Sequence, residues 1–508
     1  MAYQLSVATR NNEIANMTHN RGPLVSGSSV DNRARKPLRP SAMEWPLGQD
    51  AYHFPCNIIR RDALKCKART GKNMRDRVIR DEIHRDVLVP AHHARIIDTH
   101  EFQRLRNIQQ LSTCEFVFPS ATHTRFAHSL GAYFLAGELT SSIQEVQPGL
   151  LSDSDAELVQ IGALLHDIGH PPYSHLLETP DVFATFHSHE HWGRILLESE
   201  DSEIGQVLAD VLGEERKQRL FALLDGQTEC NGVPIAPFLK EIISSQLDVD
   251  RMDYMIRDQA NTGAQIGGFD SARVIRALRV NDEGRLYVKT WGLPAIEAYL
   301  VTRYHMYNQV YFHKVNMLTQ SYLVRMLARA RRLAQNGSLE LSGEIHEMLL
   351  NESLTPDQYA SLHDAHIKVA MGRFANHSDE ILSGYASRLL ARRDYHKSLR
   401  ITSLTTEMFA MVKDEVAAHL IEQGFDAEHD LITASIRKRG YMPYEQGIIL
   451  EDGRDAAEHS PLIRSLTQSD ERILVFVPEE IRNSCEALVR ARTKPSQSSL
   501  AMFDSANS

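Results

Sequence analysis

The run "ALLHDIGHPPYSH" at residues 163–175 places His166, Asp167, His170 and His175 at the end of an apolar stretch. Eight of the 24 histidines fall between residues 123 and 191. Imidazole nitrogen and carboxylate oxygen together suit a borderline or hard divalent cation. Adjacent residues of a regular helix point about 100° apart, so His166 and Asp167 would diverge in mid-helix. At a helix end, with Gly169 letting the backbone turn, they can converge on one ion. Two ligands do not complete a site. The further candidates are His128 upstream, in "THTRFAHSLG", and a carboxylate downstream in "QLDVDRMDYMIRD". That segment offers Asp248, Asp250, Asp253 and Asp258; Asp250, Asp253 and, less closely, Asp258 share a helical face.

These residues need elements to hold them. "DAELVQIGALLHD" spaces Leu158, Ile161 and Leu165 as one face of a helix, with Ser152 or Ser154 as its cap. "FAHSLGAYFLAGELTSSI" repeats the pattern with Leu130, Phe134 and Gly137. From about 75 to 335 the apolar spacing is mostly helical. "LYVKTWG" at 286–292 reads as a short strand after the turn signal "NDEG". Strands are also expected at 431–442 and at Ile473–Val477, the latter followed by a helix from about Pro478. No internal repeat is evident.

The chain of 508 residues is 42% hydrophobic and 24% charged, an ordinary globular balance. It has no run of eighteen apolar residues and no apolar signal segment, so a cytoplasmic, non-membrane protein is expected. Five cysteines without CxxC spacing argue against a disulfide framework and a cysteine zinc site. The net charge is −10, yet residues 60–80 carry nine Lys/Arg against two Asp. That stretch is either a phosphate-attracting segment or a solvated arm.

The segments "IIDTHEFQRLRNIQQLSTCEFVFPSATHTRFAHSLG", "HDIGHPPYSH" and "LDVDRMDYMIRDQANTGAQIGGFD" resemble the HD-domain metal-dependent phosphohydrolases. Within them they are most similar to the deoxynucleoside triphosphate triphosphohydrolases, over about residues 75–335. The resemblance implies a mostly α fold, a helical HD core with a smaller α+β C-terminal lobe. The expected organisation is a flexible tail at 1–50, a catalytic core at 51–335, a C-terminal lobe at 336–492 and a disordered tail at 493–508.

Matched motif by motif, the resemblance implies His128, His166, Asp167 and Asp250 as ligands of one iron, manganese, zinc or magnesium ion, with magnesium accompanying the nucleotide. It implies His170, His175, His189 and Glu190 as catalytic residues. Gln110, Leu111, Arg125, Arg251, Tyr254, Asp258, Arg303 and Tyr311 would bind substrate. Asp98, Gln103 and Arg106, with Arg77 and Val78, match a regulatory nucleotide site between subunits; the expected partners are therefore a dNTP, an activating nucleotide and further copies of the chain as a dimer, tetramer or hexamer. The reaction would release deoxynucleoside and triphosphate, in nucleotide-pool control or antiviral or antiphage defence. The alternatives are a nucleotide-sensing module with little turnover, and a phosphodiesterase or nuclease acting on nucleic acid.

The sequence departs from the family pattern in places. Pro171 stands where glycine is common, which stiffens the loop. Glu178 replaces an aspartate that orients a histidine. "QLSTCE" lacks a glycine run. The alternative reading of "DTHEFQRLR" is a charged amphipathic helix capped by Asp98, with Phe102 and Leu105 buried.

Overall fold

The computed structural model describes residues 75–493, apart from 402–403 and 444–446. The expected tails and most of the basic stretch at 60–80 lie outside the described residues. The described residues belong to one compact unit.

The described chain opens on a hairpin, β1 (Arg77–Asp81) paired antiparallel with β2 (Arg85–Val89). Periodicity had suggested helix from residue 75. Only alternate residues of these five-residue strands are buried, the period-two signature that a helical window averages away. Helices α1 (Ala91–Ile97) and α2 (His100–Arg104) follow. The centre of the core is α3 (Arg125–Val146), packed against α4 (Asp153–Leu165) and α9 (Val249–Thr262). Between them lie α5 (His189–Glu198), α6 (Glu203–Leu212), α7 (Glu214–Leu224) and α8 (Pro237–Ile243).

Local chemistry sets the two helix ends that matter. Ser152 caps α4 by accepting from the Asp155 amide, and Asp153 and Asp155 add negative charge to the first turn. α4 buries Leu158, Ile161 and Leu165 and stops there, so His166 is its last half-turn and Asp167 lies beyond it. Asp248 caps α9 through the Arg251 amide and Gly263 ends it in the left-handed region. Asp248 is thereby committed to the backbone, which removes it from the ligand candidates.

A short antiparallel pair, Leu278–Val280 with Leu286–Val288, sits where a strand was expected. The helix Leu293–Met306 then runs through a π-turn at Tyr307–Tyr311 into the helix Lys314–Gln335. Beyond it, helices Pro356–Ser361 and Asp364–Phe374 lead to a three-stranded antiparallel sheet. Its strand Ser469–Val477 pairs on one side with Ile432–Arg439 and on the other with Lys397–Ser398. The helix Arg482–Thr493 closes the described chain. The chain is mostly helical with strands in its C-terminal region, as expected. One apolar cluster joins Tyr173, Trp192 and Leu196 to Leu323, Tyr359 and Phe476, so the C-terminal region shares a core with the segment carrying the histidines.

Candidate metal centre and active site

α3 supplies His128, the end of α4 supplies His166 and Asp167, and the first turn of α9 supplies Asp250. The His128 Nε2 lies 3.4 Å from an Asp167 oxygen and 3.0 Å from Asp250 Oδ1. The His166 Nε2 lies 3.3 Å and 3.6 Å from the same two carboxylates. Both outer nitrogens are tied down. His128 Nδ1 donates to Asp253 Oδ2 at 2.8 Å, and His166 Nδ1 donates to the Ala163 carbonyl at 2.8 Å. Because those partners only accept, each Nδ1 carries the proton and each Nε2 lone pair faces the others. Both Nε2 atoms are buried and have no hydrogen-bond partner. Two imidazoles and two carboxylates so arranged fit a divalent cation. Burial presses the His128 imidazolium down, but Asp250 and Asp253 outweigh it and hold the ring up to about 10. Proton and metal compete for that lone pair, so metal affinity rises with pH.

Asp253 stands behind this cage, fully buried. It accepts from His128, from His84 Nε2 at 2.7 Å, and from Nε and Nη2 of Arg257, each at 2.9 Å. Arg257 continues to Asp81 of the hairpin at 2.9 Å. Burial alone would raise the Asp253 carboxyl; Arg257, His128 and His84 outweigh it and hold it well below the usual range. Gly131 makes the approach of α3 to α9 possible, since a Cβ there would stand 1.8 Å from Asp253 Oδ1. Sequence reading grouped Asp253 with Asp250 as a ligand candidate. The structure turns it to the outer side of His128.

The remaining histidines gather around Glu178. His170 is buried, stacked on His189 at 4.0 Å, and its Nε2 lies 3.1 Å from Asp167. Glu178 accepts from His175 Nδ1 at 3.1 Å and from the side chain and amide of His189 at 2.6 and 3.1 Å. Glu178 thus holds two imidazoles at once, and they in turn keep its carboxyl ionised against the effect of burial. Burial and the neighbouring Arg125 hold His170 neutral. Glu190 sits at the rim, its side chain 70% exposed and 3.3 Å from His189.

The loop that carries these rings is strained and clamped. Tyr173 and Ser174 both lie in the left-handed region, at φ 56° and 58°. Asp364 accepts from the Tyr173 amide at 2.8 Å and from the Gln109 amide at 2.9 Å. Arg104 donates to the carbonyls of Ile168 and His170, and Tyr359 donates to that of Gly169 at 2.6 Å. Gly169 does not itself adopt a positive φ, contrary to the turning role expected of it. It is required because a Cβ there would meet the His189 carbonyl at 2.1 Å and the Gly193 amide at 2.2 Å. The missing glycine run has its counterpart in Ser112, which takes the left-handed conformation (φ 51°) and donates to the Tyr173 carbonyl.

Of the expected substrate residues, Tyr311 donates to Asp258 at 2.7 Å, and Asp258 is held on its other oxygen by His123 at 2.8 Å. Tyr254 lies between His128 and Tyr311, 6.3 and 6.5 Å from their rings. Leu111 packs, half-buried, against the small apolar cluster that contains Cys114 and Met306. Gln110 binds His123 through its amide and leaves Oε1 buried without a partner. Arg125 differs from expectation: it donates to Asp167 and Ser174, and so braces ligand and loop. Arg251 is anchored to Asp248 and the Ser245 carbonyl, while its Nε, and Nε and Nη1 of Arg303, are buried without partners.

The regulatory residues fall at one corner. Arg77 makes a two-bond ion pair with Asp98, at 2.6 and 2.5 Å, so it does not stand free for phosphate. Gln103 accepts from Arg106, which lies over the Phe126 ring, and Val78 is exposed. Phe102 and Leu105 are buried, but Asp98 closes α1 and Thr99 precedes α2, so Asp98 is not the cap of that helix.

A helical core thus presents a His–His–Asp–Asp cage that could hold a divalent metal, beside clustered imidazoles. Comparison agrees. The HD domain model matches residues 125–258, and the model of an HD-associated region matches 269–493. The uncharacterized protein YwfO of Bacillus subtilis is 35% identical over 331 residues, 64% of this chain and 72% of that one. The human deoxynucleoside triphosphate triphosphohydrolase SAMHD1 is 34% identical over 280 residues, covering 49% of this chain and 44% of its own length. The crystal structure of a phosphohydrolase from Bacteroides thetaiotaomicron superposes with a TM-score of 0.69 at 30% identity, over 80% of this chain and all of that one. The chain belongs to the HD-domain phosphohydrolase family. Among the described residues no helix is long and apolar enough to cross a membrane.

Proposed function

We propose that the protein hydrolyses deoxynucleoside triphosphates at the α-phosphorus, releasing deoxynucleoside and inorganic triphosphate. The observation that carries this reading is a pair of half-buried arginines, Arg251 and Arg303, whose buried N–H groups (Nε of Arg251, Nε and Nη1 of Arg303) have no partner, Arg251 standing next to Asp250 of the cage. A buried donor without an acceptor is costly, and a polyphosphate chain supplies acceptors in the geometry arginine favours. A divalent ion held by His128, His166, Asp167 and Asp250 would supply an acidified water and charge screening at phosphorus. The leaving 5′ oxygen of the sugar needs a proton. His175 is the donor: Glu178 holds its Nδ1, and its side chain is 67% exposed. Asp258, aligned by His123, and Tyr311 meet the sugar, with Tyr254 against its edge.

The regulatory proposal follows from the same corner. A nucleotide entering beside Asp98 must displace Arg77 from an exposed ion pair, which costs at most about 1 kcal/mol. A nucleotide favouring an oligomer would shift assembly by linkage.

The test is incubation of the full chain with each dNTP and with manganese, iron, zinc or magnesium, followed by product identification. Deoxynucleoside plus triphosphate is expected. Deoxynucleoside monophosphate plus pyrophosphate, or stoichiometric metal without turnover of any dNTP, would overturn the reading.

A further inference from the structure

Away from the active centre a second set of ligand-type side chains converges on one atom. The first turn of α1 presents His92 and His93, and α4 presents Glu157. The two Nε2 atoms lie 2.7 and 3.1 Å from the same oxygen, Glu157 Oε1. The three ligand atoms lie within 4.8 Å of one another. The other Glu157 oxygen accepts from Arg216 at 2.5 Å, which leaves Oε1 to the histidines. The far nitrogen of the buried His93, Nδ1, pairs with the Tyr133 hydroxyl at 2.8 Å. His92 is half exposed, so the group opens on one side, into a cavity of about 670 Å³. Asp86, Glu138, Asp153 and Glu157 line that cavity against one guanidinium, Arg216. A field of that sign draws in cations and repels anions.

We propose that His92, His93 and Glu157 form a second divalent-metal site, taking zinc or a similar first-row ion with its open position toward the cavity. Two imidazoles and one carboxylate are a ligand set for such ions, and the lack of thiolate turns it away from copper(I). The edge of a tetrahedron with zinc-ligand bonds is about 3.3 Å, so the observed separations need only small side-chain rotations. The separations in the catalytic cage, 3.0 to 3.6 Å, bracket the same edge. The Tyr133 hydroxyl stands where an outer partner orients the ring of a metal-bound histidine, and it can accept from Nδ1–H when Nε2 holds the ion. The ion would tie the start of α1 to the middle of α4.

The test is the zinc content of the full-length protein after equilibrium dialysis against low micromolar zinc chloride. His92→Ala and Glu157→Gln should each hold about one equivalent less than the parent. Asp167→Asn, by contrast, loses a different equivalent, and the His92→Ala, Asp167→Asn double variant loses both. His92 is exposed enough that its alanine variant folds. Tyr133→Phe should weaken the second equivalent by roughly 10- to 100-fold. Equal zinc in the parent, His92→Ala and Glu157→Gln would overturn the proposal, and would leave the three side chains as a hydrogen-bonded network only.

Discussion

The catalytic cage and the histidine group around Glu178 are built from the same residue types and both tie Nδ1 to an acceptor, yet they differ in what the other nitrogen faces. In the cage each imidazole spends Nδ1 on an outer acceptor and turns Nε2 inward. Around Glu178, His175 and His189 turn Nδ1 toward a shared carboxylate, and His175 stays largely exposed. The first arrangement presents lone pairs to a cation. The second holds rings that can take and give protons. His170 touches both, through Asp167 on one side and the His189 ring on the other. Nδ1 is spent in both groups, so what decides the role of a histidine here is what its Nε2 faces: enclosed carboxylates in the cage, the open side of the loop at His175.

The comparison breaks most completely at Asp167. Asp167→Asn is expected to empty the cage and bring dNTP turnover below detection, read by metal analysis and product assay on the folded variant. Near-normal turnover at full metal content would remove Asp167 from the ligand set.

His175→Ala sharpens the contrast. It should slow turnover by about 10²- to 10⁴-fold, the usual worth of a positioned acid, while metal content stays at the parental level. Metal loss in this variant would mean that the Glu178 group is itself a ligand set, as the proximity of its four ligand atoms allows.

Asp364→Asn should have the smallest effect on rate, roughly tenfold, with metal retained, because it touches neither cage nor histidines and acts through the Tyr173 and Gln109 amides it holds. It should also change the pH dependence of stability. Burial raises the Asp364 carboxyl to about 6, against the opposing pull of the Gln109 and Tyr173 amides. A folded value above the unfolded one contributes stability that is present below about 4 and is lost as pH rises through about 6. Denaturant unfolding of the parent should therefore show this component falling between pH 4 and 6, by up to about 3 kcal/mol, and the variant should lack it. An unchanged slope would relocate the titrating group.

Local pattern determined a good deal. The start of α4 follows from its serine cap and its course from the apolar spacing, and its stop at Leu165 is what lets His166 and Asp167 converge. The strands read at 286–292 and 473–477 from alternation and turn residues both exist, the first shorter, at Leu286–Val288, and the second longer, at Ser469–Val477. The hairpin at 77–89 was not readable, because its strands are five residues each and half exposed. Tertiary structure alone decided the supporting shell. Asp250 and Asp253 are alike on a helical wheel; only the position of α3, held close by Gly131, puts one against His128 Nε2 and the other behind its Nδ1. Asp364 lies 191 residues from the Tyr173 amide it holds, and nothing within either segment announces the pairing. Residue type and spacing carry chemistry that is local along the chain. Which nitrogen is free, which carboxylate faces inward and what clamps a strained loop depend on contacts between distant segments, and those exist only once the core has packed.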